Sequence, residues 1–352
     1  MGGTRAMEHK TEDNKVTAAA RAGDEAAFGV LVERYRRELQ VHCYRMLGSF
    51  EESEDLVQET FLRAWRKRES FEGRSTFRAW LYRIATNACL DFLDRHPRRP
   101  VARQMERAPY SQVSVPLALP PASIPWLQPY PDRLLEPVAP RDAEPDAAIV
   151  AKETIELAFL AAIQHLPPRQ RAVLVLRDVL GWSATETAAL LEVSVATVKS
   201  ALQRARPALK EHLPPERLEW ATTEPTADER ALLQRYMDAH EQADIDTLAK
   251  LLREDALLTM PPHPMWFVGR ASILAFTADV FDPASPLYHG QWRSMPTRAN
   301  RQPAAAHYVR LPGDSVYRAQ VLDVLRVEGG KVAEVTAFVP ELFPAFGLPL
   351  TL

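Results

Sequence analysis

The chain has 352 residues, a formal net charge of -3, and 46% hydrophobic against 25% charged residues, which suits two or three globular domains, each able to bury its own core. Its apolar runs stay short of eighteen residues, which excludes a transmembrane helix. Cys43 and Cys89 form no CxxC pair, which excludes a cysteine zinc site or a disulfide framework.

The polar start, Met1 to Lys15, lacks an apolar signal core, so the expected compartment is the cytoplasm. The 29 prolines outnumber the 13 glycines, and their placement divides the chain. Residues 1–96 contain none, whereas Pro97 to Pro145 contribute twelve. Proline removes a backbone donor, so the first stretch can run as helix and the second cannot. A shorter break lies at Pro214, Pro215 and Pro225. The expected parts are a helical module over 16–95, a linker over 96–146, a module over 147–213 and a third over 227–345.

In the first module, Val57, Phe61, Ala64 and Trp65 recur at helical spacing, which predicts a helix from Ser53 to Arg68 with Ser53 as its cap. Five acids and no base lie between Glu51 and Leu62. A second helix is predicted from Ser75 to Arg95, with Arg78, Tyr82, Arg83 and Thr86 opposite its apolar side. Twelve Lys/Arg stand against five Asp/Glu between Arg63 and Arg107. Such a basic face can bind phosphates, and exposed rings at Trp80 or Tyr82 can stack on unpaired bases. A solvated helical bundle has the same pattern. Cys43 and Cys89 read as small buried apolar residues.

Within the linker lies an apolar island, Ile124 to Asp132. A plain spacer does not need Trp126, Leu127 and Tyr130, and proline-fixed aromatics make low-entropy docking points. The segment is expected to dock on the third module or on the protein's partner. At about 3.1 Å per residue, the 51-residue linker spans up to roughly 150 Å.

Beyond it, Pro167 and Pro168 open a short helix that closes at Gly181. Ser183 and Glu186 have capping-box spacing, and Ser194 caps a last helix from Val195 to Lys210 with four bases and no acid. Two capped helices around a tight turn describe a DNA-reading helix-turn-helix. Its base-reading candidates are Ala196, Thr197, Lys199, Ser200 and Gln203, with Arg204 and Arg206 on phosphates. Pro207 is expected to bend or end that helix. An ordinary three-helix bundle is the alternative.

The third module starts with two helices over Asp228 to Arg253, broken near Ala243, and a third over Ser272 to Val280. Four strands follow, near 291–298, 304–311, 316–327 and 331–339, with Gly329-Gly330 as a hairpin turn. Helices followed by an antiparallel meander indicate an α+β fold.

The runs Glu54–Trp65 and Phe71–Asn87 resemble region 2 of extracytoplasmic-function (ECF) sigma factors. Leu166–Arg171 and Val195–Arg206 resemble region 4 of the same family, in the same order. The resemblance implies a sigma factor that directs bacterial RNA polymerase to promoters. Asp55, Gln58, Glu59, Phe61, Arg63 and Trp65 would meet the clamp of the polymerase largest subunit, where their acids suit a basic partner, and region 4 would meet the flap. Arg74, Ser75, Phe77, Arg78, Trp80, Tyr82, Arg83 and Asn87 would open and read the -10 element. The region-4 residues would read the duplex -35 element. Ala201 stands where many members carry arginine, which implies one phosphate contact fewer.

Tyr236–His240, Asp246–Met260, Trp266–Arg270 and the last hairpin resemble the SnoaL-like (NTF2-like) cone. Relatives of that fold include cyclases and isomerases with a pocket carboxylate or histidine, which implies Asp323, His307, His263, Trp266 and Trp292 as candidate pocket residues. Strand histidines and tryptophans serve equally as core. The expected fold class is therefore multidomain: two all-α sigma domains plus an α+β NTF2-like cone. The combination resembles the sigma-G-like and sigma-J-like ECF subgroup, in which the extension is thought to regulate the sigma modules in cis by intramolecular contact. Expected partners are polymerase core and promoter DNA, with no membrane; a small-molecule ligand is left open. No enzyme activity, cofactor or metal is expected. The alternative is a bifunctional protein whose last domain is an active cyclase or isomerase.

Overall fold

The computed structural model describes residues 15–73, 75–98, 124–135, 155–213, 225–263 and 265–352. They fall into two compact units, one helical and one built around a sheet. Arg74 and most of the linker lie outside the described residues.

In the helical unit, α1 spans Glu25–Leu47 and α2 Phe50–Arg66. Gly48 ends α1 at φ 72, a left-handed conformation. Its Cβ position lies 3.1 Å from Gln164, so glycine also suits the space. Ser49 then caps α2, which corrects the expected cap at Ser53. Ser53 is buried in the first turn and donates to the Phe50 carbonyl at 2.6 Å. The stop of one helix thus sets the start of the next. Helix α3, Phe77–Arg95, is capped by Thr76. Leu39, Cys43, Met46 and Leu47 of α1 are buried, as are Leu81, Ala85 and Cys89 of α3.

Helices α4 (Leu157–Gln164) and α5 (Pro168–Leu174) follow, the latter running into a wider π turn at Val175–Val179. The capping box of Ser183 and Glu186 starts α6, Ala184–Leu191. Glu192, at φ 55, makes the turn, and Ser194 caps α7, Val195–His212. Pro207 lies inside α7, which continues to His212. The expected break is absent, at the cost of the bond that a backbone N–H would have made there.

The second unit has α8 (Ala227–Glu241), α9 (Ile245–Leu251), β1 (Leu252–Thr259), β2 (Trp266–Val268), α10 (Arg270–Phe281), β3 (Gln291–Ala299), β4 (Gln302–Arg310), β5 (Arg318–Glu328) and β6 (Lys331–Phe338). The sheet order is β2-β1-β6-β5-β4-β3. Strand β1 runs parallel to β6, so the sheet is mixed rather than a pure antiparallel meander. The expected helix to Arg253 stops at Leu251 because Leu252 enters the sheet opposite Val332. Arg253, Glu254 and Asp255 hid this strand in the sequence, since acidic residues have low strand propensity. Gly329 and Gly330 make the β5–β6 turn at φ 57 and 73. Leu232, Tyr236, Met237, Leu248, Leu258, Phe267, Leu325 and Val335 form the core between helices and sheet.

Candidate functional site

Helix α2 sorts its candidates by exposure. Asp55 and Gln58 are exposed and Glu59 half-buried, while Phe61 is buried, its ring 6.4 Å from Phe28. Trp65 packs on Phe28 at 5.0 Å, and Arg68 covers it at 4.5 Å. Arg63 is paired with Glu59 at 2.7 Å and Asp91 at 3.2 Å. Among these candidates the exposed side chains therefore lie on the acidic first half of α2, while Leu62 and Arg66 are exposed further along it.

Ser75, just before α3, and Asn87 within it are exposed, but the rings of Trp80 and Tyr82 are not. Trp80 is 4% exposed and Tyr82 fully buried. Phe71, Phe77 and Trp80 form an aromatic cluster with all three centroid separations at 5.4 Å. Tyr82 lies between His42 at 4.9 Å and Trp182 at 5.3 Å, with the Arg78 guanidinium 5.2 Å from its ring. Arg78 in turn pairs with Glu38 at 2.9 Å, and Arg83 reaches Glu192 at 3.8 Å. The helical period placed Tyr82 and Thr86 opposite the apolar stripe of α3. Tertiary packing covers both, since Thr86 meets His42 Nε2 at 2.8 Å. In this conformation Tyr82 has no face open to a base. Burial, then Arg45 and Arg78, lower the pKa of His42 to about 3, so its imidazole is neutral.

The helix-turn-helix presents its candidates outward. Ala196, Thr197, Lys199, Gln203, Arg204 and Arg206 are exposed and Ser200 half-buried, while Val198, Ala201, Leu202 and Ala205 form the inner face. Ala201 thus lies on the inner face of α7. Arg206 is already held by Asp178 through two bonds of 2.8 and 2.9 Å.

Sequence reasoning missed Arg171, which lies buried under this module. Its guanidinium donates to the carbonyls of Ile163 (2.9 Å), Gln164 (2.9 Å) and Leu166 (3.1 Å), to Gln164 Oε1 (2.6 Å) and to the Met46 carbonyl. These acceptors include the last turns of α1 and α4, where helix dipoles favour a cation. Burial, then Arg98, lowers its pKa to about 9.

In the second unit the linker island docks at one turn. Asn300 and Arg301 join β3 to β4, both at positive φ of 56 and 62. Tyr130 N donates to Asn300 Oδ1 at 2.7 Å, and Asn300 N donates to the Tyr130 carbonyl at 3.0 Å. Arg301 N donates to Asp132 Oδ1 at 2.9 Å, and Pro131 bridges Ala299. Asn300 Nδ2 also donates to the Ile155 carbonyl at 2.6 Å, and Leu157 N to Gln302 Oε1 at 3.2 Å. Tyr130 is fully buried, Leu127 is 7% exposed and Trp126 half-buried. One asparagine thus ties two stretches that are remote from it in sequence.

Of the candidate pocket residues, only His307, Asp323 and Trp292 come together. His263 is exposed, and Trp266 stands on β2, the edge strand opposite the edge that carries Trp292. His240, which sequence reasoning missed as a pocket residue, completes the cluster. Its ring centroid is 4.7 Å from that of His307 and 6.0 Å from that of Trp292. Tyr236 donates its hydroxyl to Asp323 Oδ2 at 2.8 Å, and His307 Nε2 lies 3.4 Å from the same oxygen. Burial, followed by His307, lowers the His240 pKa to about 4. Burial pushes Asp323 up, but His307, His240 and the Tyr236 hydroxyl outweigh it and hold the carboxyl below its ordinary range.

The comparisons with known proteins follow these divisions. Residues 31–99 match Sigma-70 region 2, residues 156–209 match Sigma-70, region 4, and residues 233–335 match the SnoaL-like domain. The ECF RNA polymerase sigma factor SigG of Mycobacterium tuberculosis is 42% identical over 333 residues, covering 94% of this chain and 86% of that protein. SigW of Bacillus subtilis is 33% identical over 191 residues, covering 54% of this chain and 91% of that protein. The crystal structure of Mycobacterium tuberculosis SigJ superposes with a TM-score of 0.55 at 23% identity, over 91% of this chain and 99% of that one.

Proposed function

The chain belongs to the ECF sigma factors that carry a C-terminal SnoaL-like domain, and from that premise we propose how its residues divide the work. Region 4 reads the -35 element through Ala196, Thr197, Lys199, Ser200 and Gln203, with Arg204 and Arg206 on phosphates. Region 2 meets the polymerase clamp through the acidic start of α2, where Asp55, Gln58 and Glu59 suit a basic surface. Phe61, Arg63 and Trp65 hold that helix in place. Region 2 handles the -10 strand with Ser75, Arg78, Arg83 and Asn87, together with Arg74 from the adjoining loop. Phe77 and Trp80 brace them. Tyr82 joins only once Trp182 has moved away.

The observation that carries the promoter-reading half is the capped α7 with one fully exposed polar and basic face. N-terminal residues of such a helix reach base edges in the major groove. Run-off transcription with core polymerase tests it. Replacing Gln203 by alanine is expected to lower initiation on a promoter with a -35 element and to relax base preference at one position. Undiminished initiation with the same base preference refutes the assignment.

The C-terminal domain acts in cis by holding the linker. Region 2 and region 4 must be free to take separate places on a promoter, and the segment that joins them is tied by Tyr130 and Asp132 to the Asn300–Arg301 turn. Trp126, Leu127 and Tyr130 form the regulatory segment. Replacing Trp126 and Tyr130 by alanine is expected to change promoter-specific transcription without unfolding the helical unit, and unchanged transcription refutes the role. We read the domain as regulatory rather than catalytic, which agrees with relatives named as sigma factors. Work beside polymerase places the protein in the cytoplasm, and no helix among the described residues is long and apolar enough to cross a membrane.

A further inference from the structure

We propose that the C-terminal domain binds one divalent transition-metal ion between His240, His307 and Asp323. Each residue offers a donor atom, all three are buried, and these atoms lie within 4.8 Å of one another. The proposal revises the expectation of no metal from the sequence.

Three observations separate this cluster from an ordinary polar core. First, both rings are already oriented through Nδ1: His240 bonds the Tyr236 carbonyl and His307 bonds Ser294 Oγ, each at 2.9 Å. That leaves Nε2 of each ring for a ligand, the arrangement by which outer partners orient metal-binding imidazoles. Second, His307 Nε2 is fully buried and makes no well-aligned hydrogen bond, its 3.4 Å approach to Asp323 Oδ2 lacking that geometry. A buried polar atom left unpaired costs about 1–3 kcal/mol, so it marks a place where a partner belongs. Third, the Asp323 carboxylate is buried and turns Oδ2 to the Tyr236 hydroxyl at 2.8 Å and to His307 Nε2 at 3.4 Å, with no lysine or arginine paired to it among the described residues. A buried anion needs a compensating charge, and a cation between the two imidazoles supplies it.

The dimensions fit an ion. Zinc bonds of about 2.0–2.1 Å place neighbouring donors roughly 3.4 Å apart. The His307–Asp323 pair already stands at 3.4 Å, and the widest separation, within 4.8 Å, must close by up to about 1.4 Å. Two imidazoles and one carboxylate favour zinc or ferrous-type ions over calcium or magnesium. A fourth position remains open for water or a small ligand. Strand β4, which carries His307, begins beside the turn that holds the linker.

The test uses the full chain, stripped with a chelator and titrated with Zn2+ against a chromogenic competitor. One tight equivalent is expected, lost in His307→Ala and Asp323→Asn variants that keep the wild-type circular dichroism. Tyr236→Phe, which removes only the hydroxyl that steadies Asp323, is expected to weaken binding about 10-fold to 100-fold. The stacked His165–His212 pair, 3.8 Å apart, is the competing surface site, and an H165A/H212A variant is expected to keep the tight equivalent. Co2+ in the wild-type chain gives visible d–d bands of a low-symmetry nitrogen–oxygen site, a readout that needs no variant to fold. Absence of a tight equivalent overturns the proposal. So does binding that survives His307→Ala and Asp323→Asn but vanishes in H165A/H212A, or a Co2+ spectrum of hydrated ion alone.

Discussion

Replacing Asn300 by glycine isolates the linker tie from everything else at the β3–β4 turn. Asn300 sits at φ 56, which glycine adopts freely, whereas alanine would add left-handed strain and confuse the reading. The substitution keeps the Asn300 N to Tyr130 carbonyl bond and the Arg301 N to Asp132 bond. It removes the amide that accepts from Tyr130 N at 2.7 Å and donates to the Ile155 carbonyl at 2.6 Å. Both partners are then buried without a bond, at about 1–3 kcal/mol each. Only the first of these partners lies in the docked segment, which therefore loses roughly 1–3 kcal/mol, so its opening equilibrium rises about five-fold or more. Hydrogen exchange on peptides covering 124–135 reads that change directly, since local opening sets the exchange rate. Exchange of α1 to α3 is expected to stay as in the wild type. Promoter-specific run-off transcription by the same variant is expected to shift. If protection of 124–135 is unchanged in Asn300→Gly, the tie does not hold the linker and the cis mechanism built on it fails.

Three further outcomes follow from the helical unit. The folded-state pKa of His42 is about 3, below its ordinary 6.5, so the unfolded chain binds more protons between those values. Stability of the unit is therefore expected to fall as pH drops from 6.5 toward 3, by on the order of 4 kcal/mol. His42→Gln should flatten that slope in urea melts across pH, and an unaltered slope contradicts the assignment. Arg171→Met deprives the carbonyls at the ends of α1 and α4 of their donor, and the first unfolding transition is expected to lose about 3–5 kcal/mol. A loss below about 1 kcal/mol would mean that water replaces the guanidinium at little cost. Arg204→Ala is expected to weaken -35 duplex binding and to lower the slope of log K against log salt by about one; an unchanged slope means that Arg204 touches no phosphate.

Local chemistry made much of the fold legible. The Ser183–Glu186 capping box, the Ser194 cap, the Gly329-Gly330 turn and the proline-free first 96 residues all act over a few residues, so spacing alone places them. Non-local pairing was not legible. Strand β1 exists because β6 lies beside it in parallel register, and no property of Arg253–Asp255 announces that partner. The exposure of Tyr82 was misjudged for the same reason, because helical period shows which face is polar and not what covers it. His240 passed as one turn of an amphipathic helix until β4 and β5 brought His307 and Asp323 to its side.

The sequence by itself determined the order of the modules, the family, the capped recognition helix and the presence of an apolar island in the linker. Each is written in runs of residues whose meaning depends on near neighbours. Only the tertiary structure decided that Asn300 grips that island, that Arg171 neutralises two helix ends, and that two histidines and an aspartate meet in one buried place. Tyr130 and Asn300 are 170 positions apart, Met46 and Arg171 125, and His240 and His307 67, while His307 and Asp323 meet through strand register. These contacts form because buried polar groups must find partners, and which partner is nearest is a property of the fold.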